Sequence, residues 1–275
     1  MGPEAFKALK AGQSPPPGME KAMTDLCDAA AAKGVMLLPA AEPQNAQAAV
    51  DAWTLQMAQK YNKNGHAVVY NTYQAYLKST PATLSSHLAL AKEKNFTLGA
   101  KLVRGAYLGT EKRALIHDTQ DDTHRAYDAI AKALLTQRYD SPLHAPSEKS
   151  SFPSINLVLA THNLDSVQRV RALRNAQKAA NEPMIKLSYA QLQGMADEIS
   201  CLLVQAQAAA EQEGGEKVDP PKVFKCVTWG TMTDCLHYLL RRAAENKDAM
   251  ARTQMTRRAM GSELLRRVRG VVGLA

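Results

Sequence analysis

The chain has 275 residues, 45% hydrophobic and 22% charged, with a formal net charge of +8 and four cysteines. It is long enough for one large core. Cys27, Cys201, Cys226 and Cys235 form no C-x-x-C pair and no zinc spacing with histidine, which excludes a disulfide framework or zinc ribbon and fits a reducing compartment. No stretch reaches the ~20 apolar residues that span a membrane, and Met1–Lys10 shows neither a signal core nor an Arg-rich leader, so no transit peptide is visible. Basic residues collect after position 240, in Arg241, Arg242, Arg257, Arg258, Arg266, Arg267 and Arg269, with acidic residues between them. That pattern reads as solvated helix faces, and no nucleic-acid motif accompanies it.

Residues 1–18 read as a tail with a helix fragment at Glu4–Lys10 and a Pro-rich linker, and residues 19–275 as one domain. Met19–Lys33 has helical patterning closed by Gly34, and Val35–Leu38 is a short apolar run suited to a buried strand. A long helix is expected over Gln44–Tyr61, with a strand over Val68–Tyr76 and a helix over Pro81–Lys94. Next come a strand over Leu98–Val103 and a helix over Thr110–Leu135. After a Ser/Pro-rich surface insertion at Ser141–Pro153, strands are expected at Ile155–Ala160, Met184–Ser188 and Val223–Thr228. Helices are expected at Ser166–Ala180, Ala196–Glu211, Thr233–Asn246 and Thr253–Val268. The strands are apolar without alternation, as buried parallel strands are, and each is followed by a helix. The fold class is therefore α/β with a parallel sheet, either closed as a barrel or open. About six strands are legible, and a closed barrel needs eight.

In such folds ligands gather at the carboxyl ends of the strands. Here those ends carry Gln74, Lys101, Arg104, Gly105 and Tyr107, then Thr161-His162-Asn163, Gln191-Leu192 and Thr228-Trp229. Gly105 permits a close backbone approach to a flat ligand or serves a turn. Lys101 and Arg104 suit a phosphate or flavin, or a surface pair. On a helix, Tyr238, Arg241, Arg242 and Glu245 fall at i, i+3, i+4 and i+7 and share a face, with Leu239 and Leu240 behind for anchoring. Two guanidinium groups beside a tyrosine suit a small carboxylic acid.

These residues resemble the proline dehydrogenase family. Tyr238–Asn246 matches that family's Y-L-x-R-R-x-x-E-N helix signature, and Lys101–Tyr107 its [KR]-L-V-[KR]-G-A-Y element. Gln74-Ala75-Tyr76, Thr161-His162-Asn163 and Gln191–Met195 resemble three further strand ends, in order. The resemblance runs from about Met19 to Gly270, with a fungal flavour in the insertion and near Trp229. It implies a distorted (βα)8 barrel, here lacking its first strand, with non-covalent FAD, L-proline as substrate and 1-pyrroline-5-carboxylate as product. It further implies hydride transfer to the flavin, electron transfer to a quinone at a membrane, peripheral association with that membrane, and a place on the matrix side of the inner mitochondrial membrane. By motif, Arg241 and Arg242 would bind the proline carboxylate, and Tyr107, Leu192 and Tyr238 would wall the ring. Gln74, Lys101, Arg104, Gly105, His162, Asn163 and Gln191 would hold the FAD, and Glu245 would support it.

Three departures stand out. The resemblance calls for a first strand with a substrate-site lysine, which has no counterpart here, so the sequence reads as truncated at its N-terminus. Ala40-Ala41-Glu42 stands where Asp-Ala-Glu is expected, and Cys226 where many relatives have tyrosine. The first two support an alternative expectation, a truncated or degenerate non-catalytic relative. A basic module binding polyanions through the C-terminal arginines is a third reading.

Overall fold

The computed structural model describes residues 3–147, 150–212, 218–245 and 260–269. Five strands, β1 (Tyr70–Gln74), β2 (Leu98–Val103), β3 (Ile155–Ala160), β4 (Lys186–Leu192) and β5 (Lys222–Cys226), pair in sequence order. Every pairing is parallel. The intervening helices are α4 (Thr80–Glu93), α5 (Gln120–Thr136), α6 (Leu164–Ala179) and α7 (Asp197–Gln212), with α8 (Met232–Glu245) after β5. Three helices precede the sheet: α1 (Pro3–Lys10), α2 (Pro17–Lys33) and α3 (Gln44–Tyr61).

Register assigns the two sheet faces, because partners across a ladder share a face and neighbours along a strand do not. Tyr70 pairs with Gly99 and Thr72 with Lys101; Gly99 pairs with Asn156 and Lys101 with Val158. The rows continue through Ser188 and Ala190 to Lys222, Phe224 and, beside Leu192, Cys226. This is the inner face. The outer face carries Leu98, Ala100, Leu102, Leu157, Leu159, Leu187 and Tyr189, which form the main core with Leu84, Leu88, Tyr127, Ile130, Leu134, Val167 and Leu203 of the helices. Both faces of the central strands are largely buried, which is why these strands show no alternation.

Gly99 lets the inner face close around Tyr70. A Cβ at Gly99 would lie 2.5 Å from the Val69 carbonyl oxygen and 2.9 Å from Tyr70 Cγ. The first of these is backbone, which cannot swing away. Gly99→Ala is expected to lower unfolding stability by about 2–3 kcal/mol, read as a shift of the urea midpoint.

Several sequence expectations change. The strand expected at Val35–Leu38 contracts to one bridge, Leu37 to Val69, so the sheet holds five strands and not six. The 3–10 segment is no tail: Ala5, Ala8 and Leu9 pack against Ala49 and Trp53 of α3. The helix expected from Thr110 starts at Gln120, after a single 3-10 turn at Arg113–Leu115. Thr119 sets that start: its side chain accepts the Asp122 N–H at 3.0 Å, and the Asp122 carboxylate accepts the Thr119 N–H at 3.0 Å. Strand β4 runs to Leu192, which takes Gln191 and Leu192 from the loop into the ladder. The Ser141–Pro153 insertion is anchored, with Leu143 buried and the Tyr139 and Phe152 rings packed at 4.8 Å between centroids. Arg174 clamps both Asp219 carboxylate oxygens at 2.9 and 3.1 Å and donates to the Ile185 carbonyl, fixing the approaches to β4 and β5. Of the last expected helix, 260–268 is helical, and the helix runs on to 269; Arg257 and Arg258 lie outside the described residues.

Strands β1 and β5 are the ends of this arc, and among the described residues the ladder does not close into a ring. Side chains near the β5 end are correspondingly open: Phe224 is 46% exposed and Trp229 93%. Leu239 and Leu240, expected to anchor α8, are 51% and 65% exposed. The reason is position, since α8 follows the end strand of the arc.

Candidate active site

The carboxyl ends of the five strands lie along one rim, and α8 brings Tyr238 and Arg242 to it. On the inner face, Gln74, Lys101, Leu192 and Cys226 share the side of the sheet that this rim borders. Burial pushes the Lys101 ammonium below its ordinary value; Cys226 opposes that shift and the Arg242 guanidinium adds to it. The Cys226 sulfur lies 3.8 Å from the Tyr238 hydroxyl, and the Arg242 guanidinium lies 5.4 Å from the Tyr238 ring centroid. Two cations, a tyrosine and a thiol therefore converge from β2, β5 and α8. That is the chemistry of an anion site with an apolar wall.

Tyr107 closes one side. Its hydroxyl donates to the Ala41 carbonyl at 2.9 Å and lies 3.5 Å from a Glu42 carboxylate oxygen. Gln74 donates to the Glu42 carbonyl at 3.2 Å and accepts the Ala106 N–H at 3.2 Å. The Ala40-Ala41-Glu42 stretch therefore reaches the rim through its backbone and through Glu42, the acidic residue that it keeps of the expected Asp-Ala-Glu element.

Other expected site residues make different contacts. Arg104 donates from Nε to His124 Nδ1 at 2.8 Å, from Nη1 to Thr161 Oγ1 at 2.6 Å and from Nη2 to Ser166 Oγ at 2.8 Å. Its guanidinium also stacks on the Tyr127 ring at 4.3 Å. His162 accepts the Leu192 N–H on Nε2 at 3.0 Å, so a neutral ring carries its proton on Nδ1. Asn163 caps α6, its Oδ1 accepting the Ser166 N–H at 2.9 Å. Gln191 lies on the outer face, where its Oε1 accepts from Ser200 of α7 at 3.0 Å and its buried Nε2 has no partner among the described residues. At Gly105, φ is 148° and the space where a Cβ would stand is filled by the Tyr76 ring, 2.2–2.5 Å away; its close approach is to Tyr76. Arg241 is exposed on α8, while the Glu245 side chain and Asn246 lie outside the described residues.

Sequence reasoning misses His124, Tyr127 and Asp128. The available signal is their i, i+3, i+4 spacing on α5, which puts all three on one helix face.

The chain matches the family model described as "Proline dehydrogenase" over residues 3–255. It is 32% identical over 253 residues to the Schizosaccharomyces pombe protein named "Probable proline dehydrogenase, mitochondrial", covering 88% of this chain and 49% of that one. It is 34% identical over 253 residues to Homo sapiens "Proline dehydrogenase 1, mitochondrial", covering 91% and 39%. Among solved structures, bifunctional proline utilization A superposes with a TM-score of 0.60 at 23% identity, over 82% of this chain and 21% of that one; that likeness concerns the fold. The chain spans about half the length, or less, of the curated relatives it matches. By the family match and these identities, the chain belongs to the proline dehydrogenase family.

Proposed function

We propose that this chain oxidises L-proline to 1-pyrroline-5-carboxylate using FAD, and that the electrons pass to a quinone at the matrix face of the inner mitochondrial membrane. The observation that carries the reading is the placing of Arg242 beside Tyr238, and of Tyr238 beside Cys226, at the inner face that Lys101 shares, in a chain of this family. No described helix is long and apolar enough to cross a membrane, and the quinone contact is proposed as peripheral. The names of the mitochondrial relatives support the location.

The donor set fits a flavin dinucleotide. Lys101 and Arg104 supply cations and His162 a ring at the β3 end, while Gln191, turned outward to Ser200, is assigned by motif alone. Gln74, tied to Glu42 and Ala106, is proposed to order the near edge of the site. Asn163 acts through the α6 terminus, Gly105 through its backbone, and Glu245 is assigned by motif alone. When bound, FAD supplies the two-electron acceptor for the C–N bond of the proline ring. The chain itself binds and orients: Arg242, with Arg241 at the outer edge, holds the carboxylate, and Tyr107, Leu192 and Tyr238 wall the ring and exclude water. The retained cations favour this reading over a decayed relative, although Ala40 stands where the resemblance calls for a carboxylate.

The test is the visible spectrum of the FAD-incubated chain under anaerobic conditions. The flavin band is expected to bleach on addition of L-proline. A bound flavin that stays oxidised would mean that the proline site is lost, and no bound flavin would overturn the cofactor assignment.

A further inference from the structure

Four described side chains hold Arg104, and one of them is a histidine, which titrates near neutral pH. An arginine keeps its protons in proteins, so in the 2.8 Å contact between Arg104 Nε and His124 Nδ1 the arginine donates. His124 Nδ1 is therefore an unprotonated acceptor, and the neutral ring carries its proton on Nε2. Another edge of the guanidinium is held through Ser166, whose hydroxyl donates to Asp128 at 2.5 Å and accepts from Arg104. Thr161 holds Nη1, and the Tyr127 ring backs the plane. The charged groups facing His124 are Arg104 from the β2 end, Asp121 and Asp128 from α5, and Asp165 from α6. Asp128 also lies 3.8 Å from Arg169 of α6. Burial is the first cause holding the His124 ring below its ordinary value of 6.5 and Arg104 the second, while the three aspartates oppose them.

We propose that His124 is a positioning residue: its neutral ring, with the Asp128–Ser166 pair, fixes the Arg104 guanidinium at the rim, so that protonating the ring releases Arg104 and loosens FAD. The proposal rests on the reading of Arg104 as a cofactor anchor. Protonation removes the acceptor and sets two cations 2.8 Å apart. The ring binds its proton less readily in the folded site than in the unfolded chain, so its contribution is complete above 6.5 and is lost as pH falls through its lower folded value.

The experiment measures FAD affinity by quenching of flavin fluorescence from about pH 8 to about pH 5 for the unmodified chain, His124→Asn and His124→Leu. The amide oxygen of Asn accepts the Nε–H without titrating. The unmodified chain is expected to lose affinity about tenfold towards acid pH, His124→Asn to keep a flat profile, and His124→Leu to bind weakly throughout. Identical pH profiles for the unmodified chain and His124→Asn would overturn the proposal. Nitrogen-resolved NMR of the histidines, without FAD, decides the pairing by itself. An unprotonated Nδ1 whose titration moves up on Arg104→Gln supports the proposal, and a ring protonated on Nδ1 overturns it. Failure to bind FAD at every pH, with the NMR result as expected, would leave the His124–Arg104 pairing in place and overturn its link to the cofactor.

Discussion

Arg242→Met is expected to lower kcat/KM for L-proline by roughly 10²–10³-fold, about 3–4 kcal/mol. Arg242 is half-buried on α8, beside Tyr238 and close enough to Lys101 to help depress its ammonium. Charge-assisted hydrogen bonds to a carboxylate contribute about 1.5–3 kcal/mol each, and a guanidinium offers two in parallel. If the carboxylate is held equally in ground and transition states, the loss falls mainly on KM. Arg242→Lys keeps the charge but not the fork, and recovers only part of the loss. Arg241→Met is expected to cost less, since Arg241 is exposed. The Arg242 substitution should also raise the Lys101 titration, because it removes a like charge that lowers it. Steady-state kinetics across pH reads both effects. A variant with unchanged KM and kcat would show that the carboxylate does not sit at Arg242.

The rim is legible in the sequence because of how its strands are buried. Strands β2 and β3 are largely buried on both faces and mostly apolar, so their bounds fall where the apolar runs stop. Whatever follows in the chain then lies at the carboxyl end, which places Arg104 and His162 without any structure. The start of α5 is harder to read, because the composition of Thr110–Asp118 suits a helix. The Thr119–Asp122 capping box that decides the matter lies just beyond that stretch, inside the expected helix. Gln191 and Leu192 read as loop but belong to β4, and the period of 2 then sends Gln191 outward to Ser200. Residue type alone assigns Leu239 and Leu240 to packing, whereas their exposure depends on α8 standing at the end of the arc. The contacts of Arg104 join residues 57 and 62 positions apart, and pairings at that separation have no local signature.

The second large effect is expected at Asn62, where one side chain replaces strand neighbours. Asn62 follows α3 and is fully buried. Its Oδ1 accepts the N–H groups of Val68 and Val69 at 2.8 and 2.9 Å, and its Nδ2 donates to the carbonyls of Val69 and Thr97 at 2.7 and 3.0 Å. All of the amide's hydrogen-bonding capacity is thus spent at the entry to β1 and β2, beside a strand position that Leu37 serves with a single bridge. Asn62→Ala strands two backbone N–H groups and weakens two carbonyl contacts in a site with no solvent access. At about 1–3 kcal/mol per orphaned group, the expected loss is about 4 kcal/mol, a large share of the ~5–15 kcal/mol that stabilises a typical domain. Asn62→Asp isolates the donor half. The introduced carboxylate still accepts from Val68 and Val69 but opposes the Val69 and Thr97 carbonyls, so burial and repulsion raise its folded pKa. A group whose folded pKa is raised gives stability at low pH that is lost as pH rises through the folded value. Asn62→Asp should therefore be less stable at neutral pH than in mild acid, a dependence that Asn62→Ala lacks. Urea unfolding followed by tryptophan emission reads both variants, since Trp53 is buried and changes environment while Trp229 is already exposed. Equal midpoints for Asn62→Ala and the unmodified chain would mean that water or a relaxed loop satisfies those groups, and that the side chain does not hold the entry to the sheet.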